Sequence, residues 1–390
     1  MRTCMLGYTS YDADNRVRRY AEALVSRGDQ VDAIAVAREG QPAYEVIQGV
    51  HVYRIQKRRM DERGPFSYLI KLLFFLVRSA WFVTLRHLRE PYELIHVRSV
   101  PDFMVFATLV PRLMGARVIL DIYDVVPEFY ASKFNVGERS IVFRLLVWVE
   151  RISIWFSSHL IIANDLWFDK MVNRSVQEEK CTAFINYPDP AIFRPRPRPK
   201  RAGDEFVLCY PGTFNWHQGL DVAIEAMALL RDRAPNLRLV LVGDGPEREK
   251  LRRLVRERNL EDRVSLTGLV PLEEVATLMA SIDAGVVPKR TNSFGNEAMS
   301  TKIMEFMSMG VPVIAARTRI DEYYFNDDLV EFFESGNAAE LAAKILEFMV
   351  NDARRARLRE NALTFVAGNN WDVRKHEYLE LVDRLAGTGR

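Results

Sequence analysis

Two glutamates, Glu297 and Glu305, stand eight residues apart around the predicted start of a helix. Ser300 or Thr301 suits the helix N-cap, because a hydroxyl oxygen accepts a backbone N–H there, and Gly310 suits the residue that ends the helix. Glu297 therefore falls in the preceding loop and Glu305 within the helix. Glutamates are commonly solvated surface charges, and this is the alternative interpretation of both.

The predicted helix start offers the groups that a nucleotide sugar needs. Free backbone N–H groups, assisted by Lys302, attract a diphosphate. The two carboxylate oxygens of Glu305 suit both hydroxyls of a ribose, and Glu297 reaches back from the loop toward the sugar. The segment therefore predicts a nucleotide-sugar site.

The neighbouring residues make the pattern more specific. Phe294-Gly295 precede the first glutamate, Lys302 lies three residues before the second, and a Gly-x-Pro-Val-Ile strand follows. This block resembles the E-x7-E signature of retaining glycosyltransferases of the GT-B fold, family four, and the resemblance is strongest over 210–315. It implies an α/β protein with two Rossmann-like, doubly wound parallel-sheet domains facing each other across a cleft. It also implies a nucleoside diphosphate sugar donor, retention of anomeric configuration and no required metal or cofactor.

Composition bounds the remaining classes. A chain of 390 residues exceeds the size of a single core, so two domains are expected. The 54 basic and 52 acidic residues nearly balance, which argues against nucleic acid as a partner. Cys4, Cys181 and Cys209 are too scattered for a disulfide or zinc framework. The N-terminus lacks a long apolar leader, so we expect the protein in the cytoplasm.

Both halves alternate short apolar runs with helical periodicity, which predicts βαβ units and two parallel sheets. Residues 1–187 form the predicted first domain, which binds acceptor. The proline-rich stretch 188–200 is the predicted linker, because its prolines forbid regular structure. Residues 201–370 form the predicted nucleotide-sugar domain. The resemblance implies that the last helix, 371–390, crosses back onto the first domain.

The loop after the first strand of the second domain suits a phosphate, because Gly212 lets backbone approach closely. It resembles the Gly-Arg-x4-Lys-Gly loop of the family. Thr213 and Gln218 stand where the arginine and lysine are expected, which removes two cations from the predicted diphosphate site. A departing diphosphate needs positive charge or aligned dipoles.

Replacement cations are available elsewhere in the second domain. Lys289 and Arg290 end a strand and enter the loop that carries Glu297, so they are the first candidates to stabilise the leaving group. Lys302 and a protonated His217 are the others. Solvated loop cations are the alternative interpretation of Lys289 and Arg290.

Two further glycine turns follow strands. Gly243 and Gly245 open a helix as the Gly-x-Gly-Pro turn of the family, and the segment around Gly268 resembles its base pocket. A nicotinamide-dependent dehydrogenase is the competing class. The full G-x-G-x-x-G fingerprint is absent from the first strand–helix turn of each domain, so we discount it.

In the first domain, the loop from Tyr8 to the helix with Arg16 and Arg19 resembles the family segment that holds the acceptor. Solvated helix positions are the alternative for the arginines. Tyr123-Asp124 match a strand end where the family usually has a histidine followed by aspartate near the donor sugar. Tyrosine titrates near 10, so Tyr123 would change any general-acid role.

A basic cluster, 54–59, precedes an apolar and aromatic helix predicted over 66–83. Lys71 and Arg78 interrupt the apolar run, which favours a helix lying in a membrane interface over one that spans the membrane. A helix buried on the first sheet is the equal alternative. A membrane-facing helix, on the inner face of the cell membrane, would suit a lipid-linked acceptor.

These patterns predict a retaining glycosyltransferase that acts on a glycan or lipid-linked acceptor in polysaccharide or glycolipid biosynthesis. The first rival is a GT-B protein that keeps the nucleotide cleft as a binding module after losing cations at Thr213 and Gln218. A weaker rival is a nucleotide-sugar epimerase of the same architecture. The donor sugar and base, the acceptor and the oligomeric state depend on features that one sequence does not reveal.

Overall fold

The computed structural model describes residues 1–58, 65–134, 136–198 and 203–387, which form two compact units. One unit consists of Met1–Asn186 together with Lys375–Arg390, and the other of Tyr187–Arg374. The predicted linker lies at the start of the second unit and contains no helix or strand between 188 and 198. Its last two residues, 199 and 200, lie outside the described residues.

The first unit contains an eight-stranded sheet. Its strands are β1 (Arg2–Leu6), β2 (Gln30–Ala37), β3 (Tyr44–Ile47), β4 (Val50–Lys57), β5 (Leu94–Arg98), β6 (Arg117–Ile122), β7 (His159–Ile162) and β8 (Cys181–Ala183). Their order across the sheet is β3-β4-β2-β1-β5-β6-β7-β8. The strands pair in parallel, as predicted, except that β3 pairs with β4 antiparallel at the edge of the sheet. Gln48 and Gly49, with φ of 50° and 81°, form the tight turn that suits such a hairpin.

The helices of this unit follow the strands. They are α1 (Asn15–Ser26), α2 (Pro65–Arg89), α3 (Leu109–Leu113), α4 (Val126–Phe134), α5 (Ile141–Phe156) and α6 (Asp165–Arg174). A 3-10 helix, Asp102–Thr108, runs directly into α3. Asp14 caps α1 by accepting the Val17 N–H at 3.2 Å.

The second unit contains a six-stranded, wholly parallel sheet. Its strands are β9 (Phe206–Pro211), β10 (Leu237–Val242), β11 (Val264–Gly268), β12 (Ala284–Val287), β13 (Val313–Arg317) and β14 (Glu331–Glu334). Their order is β11-β10-β9-β12-β13-β14, so the chain reverses its direction across the sheet between β9 and β12. The corresponding reversal in the first sheet lies between β1 and β5. Such reversal points define where ligands bind in open α/β sheets.

Helices cover both faces of the second sheet and complete its core. They are α7 (Leu220–Leu229), α8 (Arg248–Glu257), α9 (Leu272–Met279), α10 (Thr301–Ser308), α11 (Arg319–Tyr324), α12 (Ala338–Val350) and α13 (Asp352–Gly368). Apolar strand residues such as Leu208, Leu239 and Ile314 pack with helix residues such as Ile224 and Phe348 in this core. The strands are nearly continuous apolar runs, because both faces are covered.

The last helix, α14 (Trp371–Ala386), contributes its residues from Lys375 onward to the first unit. The Tyr378 ring stacks on the Tyr20 ring with centroids 4.1 Å apart. The Tyr378 hydroxyl lies 3.0 Å from His96 Nδ1. Val382 is fully buried. The first unit is therefore built from two separate stretches of chain.

Candidate active site

The loops after β9 and β12 meet at the reversal point of the second sheet. The Arg290 N–H donates to the His217 carbonyl at 2.9 Å. The His217 ring meets the Phe294 ring edge-on, with centroids 5.5 Å apart. The structure therefore brings these three predicted site residues together at the carboxyl ends of parallel strands, where open α/β sheets bind ligands.

The loops after β9, β10 and β11 close on one another through glycines. The Gly212 N–H donates to the Val242 carbonyl at 2.7 Å, and the Gly243 N–H donates to the Gly268 carbonyl at 2.9 Å. Gly212 and Gly243 have φ of +143° and +139°, and a Cβ on Gly243 would overlap the Gly212 carbonyl. Gly245 packs as closely against the loop after β9. The predicted glycines thus bring the backbones of these three loops close together.

Helix α10 starts beside these turns with an unbonded hydroxyl. Ser300 is its N-cap residue, but its side chain makes no capping hydrogen bond. Ser300 Oγ is buried and has no hydrogen-bond partner in the part of the chain that the structure describes. A buried hydroxyl left without a partner costs about 1–3 kcal/mol, so a ligand oxygen here would be favourable. The sequence identified Ser300 as a cap and gave no sign of this free hydroxyl.

Lys302, in the first turn of α10, lies against the β9 turn, since a Cβ on Gly212 would overlap its side chain. Its Nζ lies 5.3 Å from the centroid of the Tyr210 ring. Burial lowers the pKa of Lys302, and the negative charge of Glu305 opposes this shift. A poorly solvated ammonium beside a helix N-terminus is well placed to attract a phosphate.

The two glutamates occupy the predicted elements. Glu305 lies in α10 and is half-buried. Glu297 lies in the loop between β12 and α10, with its side chain 14% exposed and its Oε1 3.5 Å from Arg319 Nη1. The loop is held by the Ala298 N–H, which donates to the Phe294 carbonyl at 2.8 Å. The roles of both glutamates stay predictions.

Gly295 is confined inside this same loop. A Cβ at this position would overlap the Arg290 carbonyl, and the Gly295 N–H donates to Asn292 Oδ1. Any larger residue here would displace the segment that leads to Glu297. Gly295 therefore shapes the loop that carries Glu297. Its contact with the donor stays a prediction.

Lys289 corrects the predicted order of the replacement cations. Its side chain is 2% exposed, and its Nζ lies 2.8 Å from Asp321 Oδ2. The same ammonium donates to the Ala298 carbonyl at 2.8 Å. Its charge is therefore neutralised inside the protein, because Asp321 lies buried on α11. Lys302 takes its place as the first candidate for the diphosphate.

Arg290 remains partly accessible but is also partnered. Its guanidinium pairs with Asp221 in the first turn of α7 and stacks 4.9 Å from the Trp216 ring centroid. Trp216 is 48% exposed at the end of the β9 loop. Sequence reasoning missed both partners. An exposed tryptophan at the reversal point was the available signal, because such rings offer a flat surface for a ligand.

His217 is also corrected. Burial, with the charges of Lys302 and Lys289, lowers the pKa of His217 to about 4. The imidazole is therefore neutral near pH 7 and does not replace the missing lysine as a cation. Gln218 Nε2 lies 2.9 Å from His217 Nε2, so the neutral ring nitrogen can accept from this amide. Thr213 is exposed in the same loop.

In the first unit, Arg16 has a structural partner that the sequence did not indicate. Its guanidinium forms two hydrogen bonds to the Asp121 carboxylate, at 2.8 and 2.9 Å, and both residues are buried. Burial raises the pKa of Asp121, but Arg16 and His96 outweigh it and hold that pKa well below its usual range. Arg16 therefore ties α1 to β6, and its acceptor contact stays a prediction.

The other two predicted acceptor residues are buried as well. Arg19 donates to the Asn15 carbonyl at 3.1 Å and to Asn186 Oδ1. The Tyr8 ring lies edge-on to Phe75 of α2, with centroids 5.2 Å apart. Acceptor contacts by either residue stay predictions, and the structure shows both packed within the first unit.

Tyr123 and Asp124 follow β6 near the reversal point of the first sheet. Arg98, the last residue of β5, pairs with Asp14 and stacks 5.2 Å from the Tyr123 ring centroid. Burial raises the pKa of Tyr123 to about 12 and that of Asp124 to about 6, with Arg98 opposing both shifts. Sequence reasoning missed Arg98. Tyr123 is thus neutral near pH 7. The pKa of Asp124 lies about one unit below pH 7, so this carboxyl changes its charge close to neutrality.

Metal chemistry has no visible site in the described ranges. Within 1–58, 65–134, 136–198 and 203–387, no group of three or more His, Cys, Asp or Glu side chains is arranged to hold a metal ion. Metal independence stays a prediction, because the nucleotide sugar itself can supply ligands.

Comparison with protein families assigns each half of the chain. Residues 193–365 match the family described as Glycosyl transferases group 1. Residues 13–186 match the Glycosyl transferase 4-like domain. The two matched regions meet in the proline-rich segment where the sequence predicted a linker.

Relatives with assigned names are glycosyltransferases. The chain is 28% identical over 187 residues to WcaL of Escherichia coli strain K12, a glycosyltransferase named for colanic acid biosynthesis. This alignment covers 47% of this chain and 46% of WcaL. It is also 29% identical over 186 residues to the GDP-mannose-dependent alpha-(1-6)-phosphatidylinositol monomannoside mannosyltransferase of Mycolicibacterium smegmatis. This alignment covers 47% of this chain and 47% of the relative. These alignments span about half the length of each relative.

Solved structures extend the similarity over the whole fold. Sucrose-phosphate synthase from Thermosynechococcus elongatus aligns over 100% of both chains with a TM-score of 0.79 and 20% identity. Anabaena HepE in complex with UDP aligns over 98% of this chain and 100% of its own, with a TM-score of 0.71 and 16% identity. The fold is therefore GT-B, and each half of the chain matches a glycosyltransferase domain family.

Proposed function

We propose that the protein transfers a sugar from a nucleoside diphosphate sugar to a glycan or lipid-linked acceptor, with retention of anomeric configuration. The reaction would serve polysaccharide or glycolipid biosynthesis in the cytoplasm. The named relatives support this setting, because one is named for colanic acid and another for a phosphatidylinositol mannoside. HepE, solved with UDP, supports a nucleotide donor on this fold.

The observation that carries the proposal is the start of α10. Ser300 Oγ is buried and has no hydrogen-bond partner among the described residues, and Lys302 is desolvated beside the glycine turns. A diphosphate would accept from both groups and from the free N–H groups of the first helical turn. Glu305, one turn further along, would then accept from the ribose hydroxyls. These groups together offset the absence of cations at Thr213 and Gln218.

The same groups explain how bond cleavage would be favoured. Negative charge develops on the diphosphate as the bond to the sugar breaks, and preorganised donors stabilise that charge. Lys302 and the α10 N-terminus are fixed before the reaction starts, so little reorganisation is needed. Glu297 would hold the sugar hydroxyls in the loop beside them. The acceptor hydroxyl would attack from the face that the diphosphate leaves.

A thermal shift screen against UDP, GDP, ADP and their common sugar conjugates tests the donor site, since a ligand of the native state raises its stability. We expect one base to be selected and its shift to be lost in Glu305→Ala. Glu273→Ala, in the first turn of α9, is the matched control. Glu297→Gln should keep the nucleotide shift and lose transfer.

The binding-module alternative rests on Thr213 and Gln218 and makes a different prediction. It requires a nucleotide shift without hydrolysis or transfer, whatever acceptor is supplied. If no nucleotide raises the melting temperature, even with glycan or lipid-linked acceptor present, the donor site itself is refuted. Conversion of the donor into its epimer without acceptor would favour the epimerase.

A further inference from the structure

Three helical segments form one layer on the first sheet. Helix α2 joins β4 to β5, the 3-10 helix and α3 join β5 to β6, and α5 lies between β6 and β7. These crossovers all proceed in the same direction across the sheet. Right-handed crossovers therefore put the three segments on the same face. The Phe106 and Phe156 rings, 5.1 Å apart, join the 3-10 helix to α5.

Helix α2 is apolar on both sides. Leu72, Phe75 and Val83 are buried toward the sheet. The outer side exposes large apolar side chains that recur every three or four residues, singly or as adjacent pairs: Leu69, Ile70, Leu73, Phe74, Val77, Trp81, Leu85 and Leu88. This stripe is about 28 Å long at 1.5 Å per residue. Among the described helices, α2 is the one long and apolar enough to cross a membrane, but its buried side fixes it to the sheet.

The outer sides of α3 and α5 continue this surface. Helix α3 exposes Leu113, at 78%, and Met114 is exposed directly after it. Helix α5 exposes Ile141 and two tryptophans, Trp148 at 58% and Trp155 at 77%. Soluble monomers rarely expose so much contiguous apolar surface without a function. We call the exposed sides of α2, α3 and α5 the apolar layer.

The charges of the apolar layer have one sign. Helices α2, α3 and α5 contain a single carboxylate, Glu150, which is buried and paired with Arg174. The exposed charged residues of these helices are arginines: Arg78, Arg89, Arg144 and Arg151. A surface of this composition complements anionic headgroups and apolar lipid chains at the same time.

We propose that the apolar layer docks on the surface of a lipid bilayer that contains anionic lipids. Tryptophans favour the boundary between headgroups and chains, and arginines pair with phosphate groups there. A second copy is a poorer occupant, because a two-fold interface would place the arginines of both copies against each other. This surface shares α2 with the one predicted from sequence but does not include Arg54, which is buried and paired with Asp12 and Glu45. Residue 59 lies outside the described residues.

Vesicle sedimentation tests this proposal without requiring the transfer reaction. We expect the protein to sediment with vesicles of phosphatidylcholine mixed with phosphatidylglycerol, and far less with phosphatidylcholine alone. Trp81→Ser/Trp148→Ser/Trp155→Ser should lower the bound fraction at least about tenfold. Arg144→Glu/Arg151→Glu should remove the preference for phosphatidylglycerol, as should high salt.

The controls separate docking from loss of structure. Leu229→Ser/Val350→Ser removes two equally exposed apolar side chains of the second unit and should leave sedimentation unchanged. The arginine variant carries the test if the tryptophan variant unfolds in thermal denaturation. Wild-type protein that stays in the supernatant with both vesicle types would overturn the proposal. So would a wild-type dimer that the tryptophan variant converts to a monomer, because a second copy would then cover the layer.

Discussion

Lys289 Nζ lies 2.8 Å from Asp321 Oδ2, and both side chains are buried beneath the loop that carries Glu297. The pair joins the end of β12 to α11. A buried charge is tolerated when its partner neutralises it, whereas an unpaired one is strongly destabilising. The pair therefore stabilises the loop that carries Glu297, and Lys289 is not available to contact a ligand.

We expect Lys289→Met to lower the free energy of unfolding by about 3–5 kcal/mol, because Asp321 is left buried without its partner. Urea denaturation measures this change. Lys289→Met/Asp321→Leu should recover much of the loss, and Lys250→Met, at an exposed pair, should have little effect. A stable Lys289→Met variant that no longer binds nucleotide would return Lys289 to the phosphate site.

Lys302→Met should have the opposite effect on stability. Burial lowers the pKa of Lys302, so its charged form is disfavoured in the unliganded fold and its removal should raise the melting temperature. Binding of a nucleoside diphosphate should weaken about 10- to 100-fold, the usual range for a charge-assisted hydrogen bond. Calorimetric titration with the diphosphate and the matching nucleoside checks this, since the nucleoside should be unaffected. Equal weakening of both would place Lys302 away from the diphosphate.

His217 should make stability depend on pH in the acidic range. Its pKa is about 4 in the folded protein, against an ordinary value of 6.5. The unfolded chain binds more protons between these values, so the free energy of unfolding falls as the pH drops from 6.5 to 4. His217→Gln should remove about 2 kcal/mol of this loss. The measurement is the free energy of unfolding of wild type and His217→Gln between pH 4 and 6.5. If the two proteins lose stability equally over this range, the pKa of His217 is not lowered in the fold.

Asp124 should shape the pH dependence of transfer. Burial raises its pKa to about 6, so the carboxylate form increases as the pH rises through 6. We expect kcat/KM to rise over the same pH interval. Asp124→Asn should abolish this pH-dependent rise and lower the rate at least about tenfold. Asp262→Asn, at an exposed aspartate, is the control. An unchanged rise in Asp124→Asn would remove Asp124 from the reaction.

Local patterns in the sequence identified what local physics decides. The glycine turns at Gly212 and Gly243 and the helix that holds Glu305 all lie where the sequence predicted, because turns and helix ends depend on neighbouring residues. The β3–β4 hairpin was missed, since Gln48-Gly49 is a weaker turn signal than Asn-Gly. The helix predicted over 66–83 continues to Arg89, since helix ends are less clearly marked in a sequence than helix centres.

Charges were harder to assign than turns. Arg16 bonds to Asp121, 105 residues away in the chain, and the sequence gives no sign of that pairing. Lys289 likewise has its partner on another element. A cation in a loop looks the same in sequence whether it meets a phosphate or a buried carboxylate, so only the fold separates Lys289 from Lys302.

The interlocking of Tyr378 with Tyr20 and His96 has a consequence for biosynthesis. These side chains lie far apart in the sequence, so residue 378 must be synthesised before the first unit can close. A nascent chain that stops before Tyr378 would contain all of the described strands and still leave Tyr20 without its stacking partner. A stop codon just before that position would therefore damage the packing around Tyr20, in a unit whose strands are already made.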